Sequence, residues 1–180
     1  ALAAAKASGT LDEAICAERD RQVAVQLTPP EIAEKLDVRR IRRFAESDAF
    51  ARICAADAVL RELAFITALP ASAVLAAQGS AAPEGEAAKA SVLVQGIADI
   101  VLVFPDHLEL LDYKTDRRKT EADFLAAYRA QLNLYALAID KRFAPKKVTY
   151  KGIYSLELGK LIEVLTSQSR LRLASSPGRG

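Results

Sequence analysis

The sequence predicts an α/β (α+β) domain in which a helical first part gives way to strands and one long helix. Three observations carry this. Apolar residues at helical spacing recur through Ile32, Leu36, Val38, Ile41, Phe44 and Ala45. Residues 91–114 are β-rich, broken by a turn signal at Pro105-Asp106-His107. Residues 124–139 return to helical periodicity and are followed by two short β-rich runs, 148–154 and 161–165, with Gly159 between them as the turn of a closing hairpin.

Composition sets outer limits. The 180 residues fit one domain with room for a flexible arm, and 51% hydrophobic content is ample for a core. With 25 basic and 23 acidic residues the net charge is only +2, so any nucleic-acid contact has to come from local basicity. No apolar run is long enough to span a bilayer and no signal-peptide pattern opens the chain, which points to the cytoplasm without a membrane partner. Cys16 and Cys54 are too few for an iron–sulfur cluster or a structural zinc site and are expected as reduced, buried thiols. Methionine is absent even at position 1, which suggests a piece of a longer polypeptide.

In chain order, residues 1–7 open in an Ala-rich helical pattern. Thr28-Pro29-Pro30 then reads as an N-cap followed by Pro at the first helical position. A short helix is expected over 49–57 and a strand over 59–66, with Glu62 among its few polar positions. The expected organisation is a helical lead and first strand (1–75), a flexible linker or loop (76–90), a core carrying the site (91–166) and a tail (167–180).

The chemistry concentrates in that core. If Phe104 and His107 close the hairpin, counting back along both arms sets Asp99 opposite Asp112, while Pro105 leaves a one-residue slip open. Opposed carboxylates repel, and Lys114, two residues beyond Asp112, shares its face. Two carboxylates and an ammonium there make a hard-cation site. Asp99, Asp112 and the Tyr113 backbone carbonyl are candidate ligands for Mg²⁺, with Mn²⁺ as a substitute, suited to phosphodiester hydrolysis with Lys114 as the catalytic cation. Asp-x-Lys alone arises by chance roughly once in 300 residues, so the pair is weak by itself.

The long helix adds weight. Thr120 and Asp123 form a capping-box-like start. Gln131 lies about 200° round the helix from Arg129, on the apolar side near Tyr128 and Tyr135. A polar amide on that face is either a satisfied core group or part of the site.

Together, Gly96-Ile97-Ala98-Asp99, Leu111-Asp112-Tyr113-Lys114-Thr115-Asp116 and Tyr128-Arg129-Ala130-Gln131-Leu132-Asn133-Leu134-Tyr135 resemble the RecB-type nuclease of the PD-(D/E)XK superfamily. Within it the resemblance is closest to the carboxy-terminal nuclease domain of the AddA subunits of bacterial AddAB helicase–nucleases. Arg61-Glu62-Leu63-Ala64-Phe65 resembles a further strand of such domains, with Ala64 where Pro is usual. The resemblance implies a restriction-endonuclease-like mixed central sheet flanked by helices. It implies metal binding by Asp99 and Asp112, catalysis by Lys114, support from Gln131 and Tyr135, and an auxiliary role for Glu62. It further implies DNA as substrate, with exonucleolytic cleavage of single-stranded ends in double-strand break processing. The implied partners are a helicase motor on the same polypeptide outside these residues and an AddB-like subunit.

Departures accompany the match. Such nucleases carry a Gly-Thr-x-x-His-like metal-binding motif upstream, and Gly9-Thr10-Leu11-Asp12 lacks the His, so that motif is expected before residue 1. His107 falls in the hairpin turn and is not expected as a ligand. No phosphate-binding loop of the Gly-x-x-x-x-Gly-Lys type occurs, so no nucleotide site is expected within this chain. Arg117, Arg118 and Lys119 directly follow the Asp112–Lys114 strand and are expected to touch DNA phosphates. The Arg-rich stretch 39–43 is expected as a solvated face or a partner contact. The competing function is a non-catalytic nuclease-fold module for DNA binding or subunit docking.

Overall fold

A computed structural model describes residues 2–81 and 83–165. The helical lead comprises α1 (Leu2–Ser8), α2 (Leu11–Ala24), α3 (Pro30–Ala33), α4 (Val38–Ala45) and α5 (Asp48–Ala55). The helix expected to run on from Pro30 is therefore cut in two. Asp37 accepts a hydrogen bond from the Arg39 backbone N–H and caps α4 as a fresh start. Ile32 and Leu36 consequently fall off the shared apolar face and are exposed. Ser47 caps α5 through the Phe50 N–H. Neither free cysteine is buried: Cys16 is half-buried and Cys54 is exposed.

The five-stranded sheet runs in the order β1 (Ala58–Pro70), β2 (Ser91–Val103), β3 (Leu108–Lys114), β4 (Val148–Ser155), β5 (Lys160–Glu163). Only β3 and β4 are parallel. A parallel neighbour needs a crossover, and α7 (Glu121–Arg142) supplies it. Helices lie on both faces, so the mixed sheet flanked by helices is the predicted restriction-endonuclease-like arrangement. The stretch 76–90 contains the end of α6 (Ala71–Ala77) and a 3-10 turn at Gly85–Lys89, and it joins the paired ends Pro70 and Ser91 of the long β1–β2 hairpin. No described helix is long and apolar enough to cross a membrane.

The main core lies between the sheet and α7, built from Val101, Leu108, Leu110, Phe124, Leu132, Ile139 and Ile153. A second cluster on the opposite face gathers Ile100, Leu102 and Leu111. The helical lead has its own small cluster around Leu11, Ile15, Ala45 and Phe50.

Candidate active site

The β2–β3 register is the one counted from the sequence. Val103 pairs Leu108 and Ile100 pairs Leu111, with no slip at Pro105. The ladder stops there, one rung before Asp99 and Asp112. The strands open at the two carboxylates, which relieves the clash of directly opposed like charges.

The cause of the opening can be read on β1 and β2. Val94 and Ala98 pack toward α7, and so do Val101 and Val103, whereas Ile100 and Leu102 belong to the other face. Side-chain alternation therefore inverts at Asp99. On β1 it inverts too, since Leu63 and Leu60 face α7 while Val59 faces away. The rung between Arg61↔Ile100 and Leu63↔Ala98 is Glu62 opposite Asp99, and it is unpaired. Glu62 sits there at φ 49°, a left-handed conformation that is unfavourable for a side chain with a Cβ. The inversion leaves Asp99 directed at β3 rather than at either face.

Its carboxylate accepts the Tyr113 backbone N–H at Oδ2, 2.9 Å away. The Lys114 carbonyl accepts the Leu156 N–H on the β4 side at 2.9 Å. Backbone groups alternate along a strand, so the Tyr113 carbonyl points with its N–H into the opening beside Asp99.

Asp112 is 3% exposed on a strand flanked by β4. Lys114 Nζ lies 2.5 Å from its Oδ2, an ion contact in which no donor is aligned on that oxygen as a hydrogen bond. Burial pushes the Asp112 carboxyl above the ordinary aspartate range. The Lys114 ammonium opposes that shift and the Asp99 charge adds to it. The Lys114 ammonium also lies 4.7 Å from the centre of the Tyr128 ring on α7.

Thr120 and Asp123 cap α7 with the predicted capping box. Gln131 is half-buried, and among the described residues its amide makes no hydrogen bond. Tyr135 packs edge-on to Phe65 at 4.9 Å and lies against Gly96, where an added Cβ would come within 2.9 Å of its ring. Gly96 is thus a cradle for Tyr135, three residues before Asp99.

Arg117 and Arg118 are exposed in the loop after β3. Lys119 pairs with Asp116 at 2.6 Å. The Tyr128 hydroxyl donates to the same carboxylate at 2.9 Å. Sequence reasoning gave Tyr128 and Asp116 no role. The available signal was the spacing of Tyr128, three residues before Gln131 on one helix face.

His107 stacks on Phe104 at the hairpin tip, at the far end of the ladder from the two aspartates. The Arg-rich α4 is tied within the molecule, through Arg40 to Glu157 at 3.0 Å and Arg42 to Asp12 at 2.9 Å.

Among the described residues no three His, Cys, Asp or Glu side chains gather as a metal cluster. The candidate donors beside the opening are all oxygens: the Asp112 and Asp99 carboxylates and the Tyr113 carbonyl. Such a set fits a hard divalent cation and leaves several positions for water or substrate.

The mixed sheet flanked by helices, with an aspartate–aspartate–lysine group where β2 and β3 part, is matched by a nuclease family. The profile of the PD-(D/E)XK nuclease superfamily matches residues 2–172, and the chain belongs to that superfamily. It is similar to the A-type subunit of the ATP-dependent helicase/nuclease of Ligilactobacillus salivarius, 34% identical over 158 residues, which covers 84% of this chain and 12% of that protein. The protein of the same name from Heliobacterium modesticaldum is 33% identical over 163 residues, 85% of this chain and 11% of its own length. That from Lacticaseibacillus paracasei is 33% identical over 150 residues, 83% of this chain and 12% of its own length. The AddA-type resemblance read from the motifs therefore holds, and the chain spans 12% or less of these relatives.

Proposed function

We propose that this chain is a Mg²⁺-dependent deoxyribonuclease module, for which Mn²⁺ can substitute, acting as an exonuclease on single-stranded DNA ends. The observation that carries this reading is the buried Asp112–Lys114 contact at the rung where β2 and β3 part, with Asp99 across the opening.

Asp99, Asp112 and the Tyr113 carbonyl would hold the cation. When bound, it would supply neutralisation of phosphoryl charge and a lower pKa for water. Asp99 is fixed by the Tyr113 N–H, so one oxygen is committed and the other is left for the ion. Lys114 stabilises charge developing on the phosphate in the transition state, and Asp112 and the Tyr128 ring hold its ammonium in place. Gln131 supports the site by orienting a water or a phosphate, and Tyr135 shapes its wall. Glu62, at the unpaired rung, is an auxiliary acidic group. Arg117 and Arg118 contact phosphates next to the scissile bond, and Lys119 orders their loop through Asp116.

The relatives are named as A-type subunits of an ATP-dependent helicase/nuclease, and they are far longer than this chain. On that basis the module works in the cytoplasm in double-strand break processing and recombination repair. Its motor lies on the same polypeptide outside these residues, and its partner is an AddB-like protein.

Lys114→Ala tests the assignment. Cleavage of single-stranded DNA in Mg²⁺ should fall by about 10²–10³-fold or more while DNA affinity stays near wild type. Cleavage by the variant at the wild-type rate would remove Lys114 from catalysis. A wild-type chain that binds DNA but cleaves in neither Mg²⁺ nor Mn²⁺ would favour a non-catalytic docking module.

A further inference from the structure

A groove of about 780 Å³ runs along edge strand β1 and the end of α7, lined by Phe65, Ile66, Gly96, Ile97, Lys141 and Arg142 among others. It adjoins the candidate site. Its Ala64↔Ile97 rung lies two residues along from the unpaired Glu62/Asp99 rung, about 7 Å away. One wall is apolar and unusually exposed for a sheet, with Ile66 at 65% and Ile97 at 57% of full exposure. The rim along the β1 edge carries two cations. Lys141 and Arg142 each donate to a β1 carbonyl, Ala68 at 2.8 Å and Ala64 at 2.7 Å. One donor of each is used, and the rest of the ammonium and guanidinium fork stays available.

Neither cation has an acidic partner. Every Asp and Glu of the chain lies among the described residues, and none forms an ion pair with Lys141 or Arg142. Addition of a protein strand to the β1 edge would need carbonyls that these two side chains already occupy. An apolar strip beside unpaired positive charge on the β1 edge suits a chain with flat apolar faces and a regular negative backbone.

We infer that this β1–α7 groove is a binding subsite for a single polynucleotide strand, whose phosphates meet Lys141 and Arg142 and whose bases lie on Ile66 and Ile97. The inference rests on the nuclease reading, since it gives the strand leaving the scissile phosphate a defined path.

Anisotropy titration of a fluorescein-labelled oligothymidylate with the full chain in EDTA measures binding with cleavage switched off. Lys141→Gln/Arg142→Gln should weaken binding. It should also make the plot of log affinity against log salt shallower by about 1.4, at 0.7 per phosphate contact on a single strand. Because these residues also cap the β1 edge, Ile97→Glu is the second variant. It leaves both caps in place and should weaken binding by about tenfold through charge repulsion, with an unchanged circular-dichroism melt.

Wild-type affinity and salt slope in both variants would overturn the subsite, as would no binding by the wild type. Self-association lost on Ile97→Glu, with DNA binding unaffected, would make the groove a protein interface instead. A cleavage assay in Mg²⁺ on the same preparations separates the two readings. Groove-dependent binding without cleavage sinks the nuclease reading alone, and cleavage with groove-independent binding sinks the subsite alone.

Discussion

At the scale of single residues, Asp112 holds the main tension in the site. Burial costs its charged form more than Lys114 returns, so its carboxyl titrates above the ordinary aspartate value. A carboxyl whose folded pKa stands above its unfolded one favours the native state fully at low pH. That advantage is lost as pH rises through the folded pKa, so at neutral pH the charged aspartate is a net burden unless a cation joins it. Asp112→Asn should therefore melt a few degrees above wild type at pH 7 without divalent metal, at about 2–4 °C per kcal/mol for a chain this size. The difference should vanish below about pH 4, where both states of the wild type are protonated. Adding Mn²⁺ should raise the wild-type melting temperature and leave the variant unmoved. A variant that melts below wild type at pH 7 in EDTA would mean that the Lys114 contact outweighs burial. The Asp112–Lys114 contact was legible because residues two apart on a strand share a face. Tyr128 and Asp116 were not, since an aromatic on an apolar helix face reads first as core.

At the scale of elements, the hairpin register and the α7 start were readable because each depends on local counting: a turn closed by Phe104 and His107, and a Thr120–Asp123 box. The inversion of β1 and β2 at Glu62 and Asp99 was not. β2 is apolar on both faces along most of its length, so no polar alternation marks where the facing changes. The break between α3 and α4 was hidden for a related reason. The apolar spacing runs through it, and only the Asp37 side chain announces the new cap. Gly96 joins these elements, because its missing Cβ lets Tyr135 of α7 settle on β2 beside Phe65. Gly96→Ala would force contacts of 2.9 Å with both rings. Overpacking of this kind typically costs about 1–3 kcal/mol. The urea midpoint should drop accordingly, and cleavage should slow because α7 is lifted from the strand that carries Asp99. An alanine variant with a wild-type midpoint would mean that Tyr135 swings aside freely and has no fixed part in the site.

At the scale of the whole molecule, the helical lead has an apolar cluster of its own and meets the sheet through Ile53, through the Arg52–Glu109 ion pair and through an aromatic contact. Phe44 of α4 meets Phe50 at 5.6 Å, Tyr113 at 5.5 Å and Tyr154 at 5.0 Å, all edge-on. Tyr113 lies between Asp112 and Lys114 in sequence, and its backbone holds Asp99. The lead therefore braces the site strand from the face opposite α7. Edge-on aromatic pairs are worth about 0.5–1.5 kcal/mol each beyond the area they bury. A half-buried Phe→Ala change with three such contacts should cost about 2–4 kcal/mol, near the lower end for core phenylalanines. Phe44→Ala should lower the unfolding free energy from urea titration by that amount and weaken Mn²⁺ binding, since the Tyr113 backbone loses its support. Phe44→Leu, which keeps apolar volume but no ring, should fall between. Hydrogen exchange gives the sharper reading. If the lead is a unit joined to the sheet through this residue, amides of α2 and α4 should exchange faster in Phe44→Ala while those of β3 and β4 stay protected. Uniform loss of protection across lead and sheet would instead make the chain a single cooperative unit. A wild-type midpoint with unchanged metal binding would remove Phe44 as the brace.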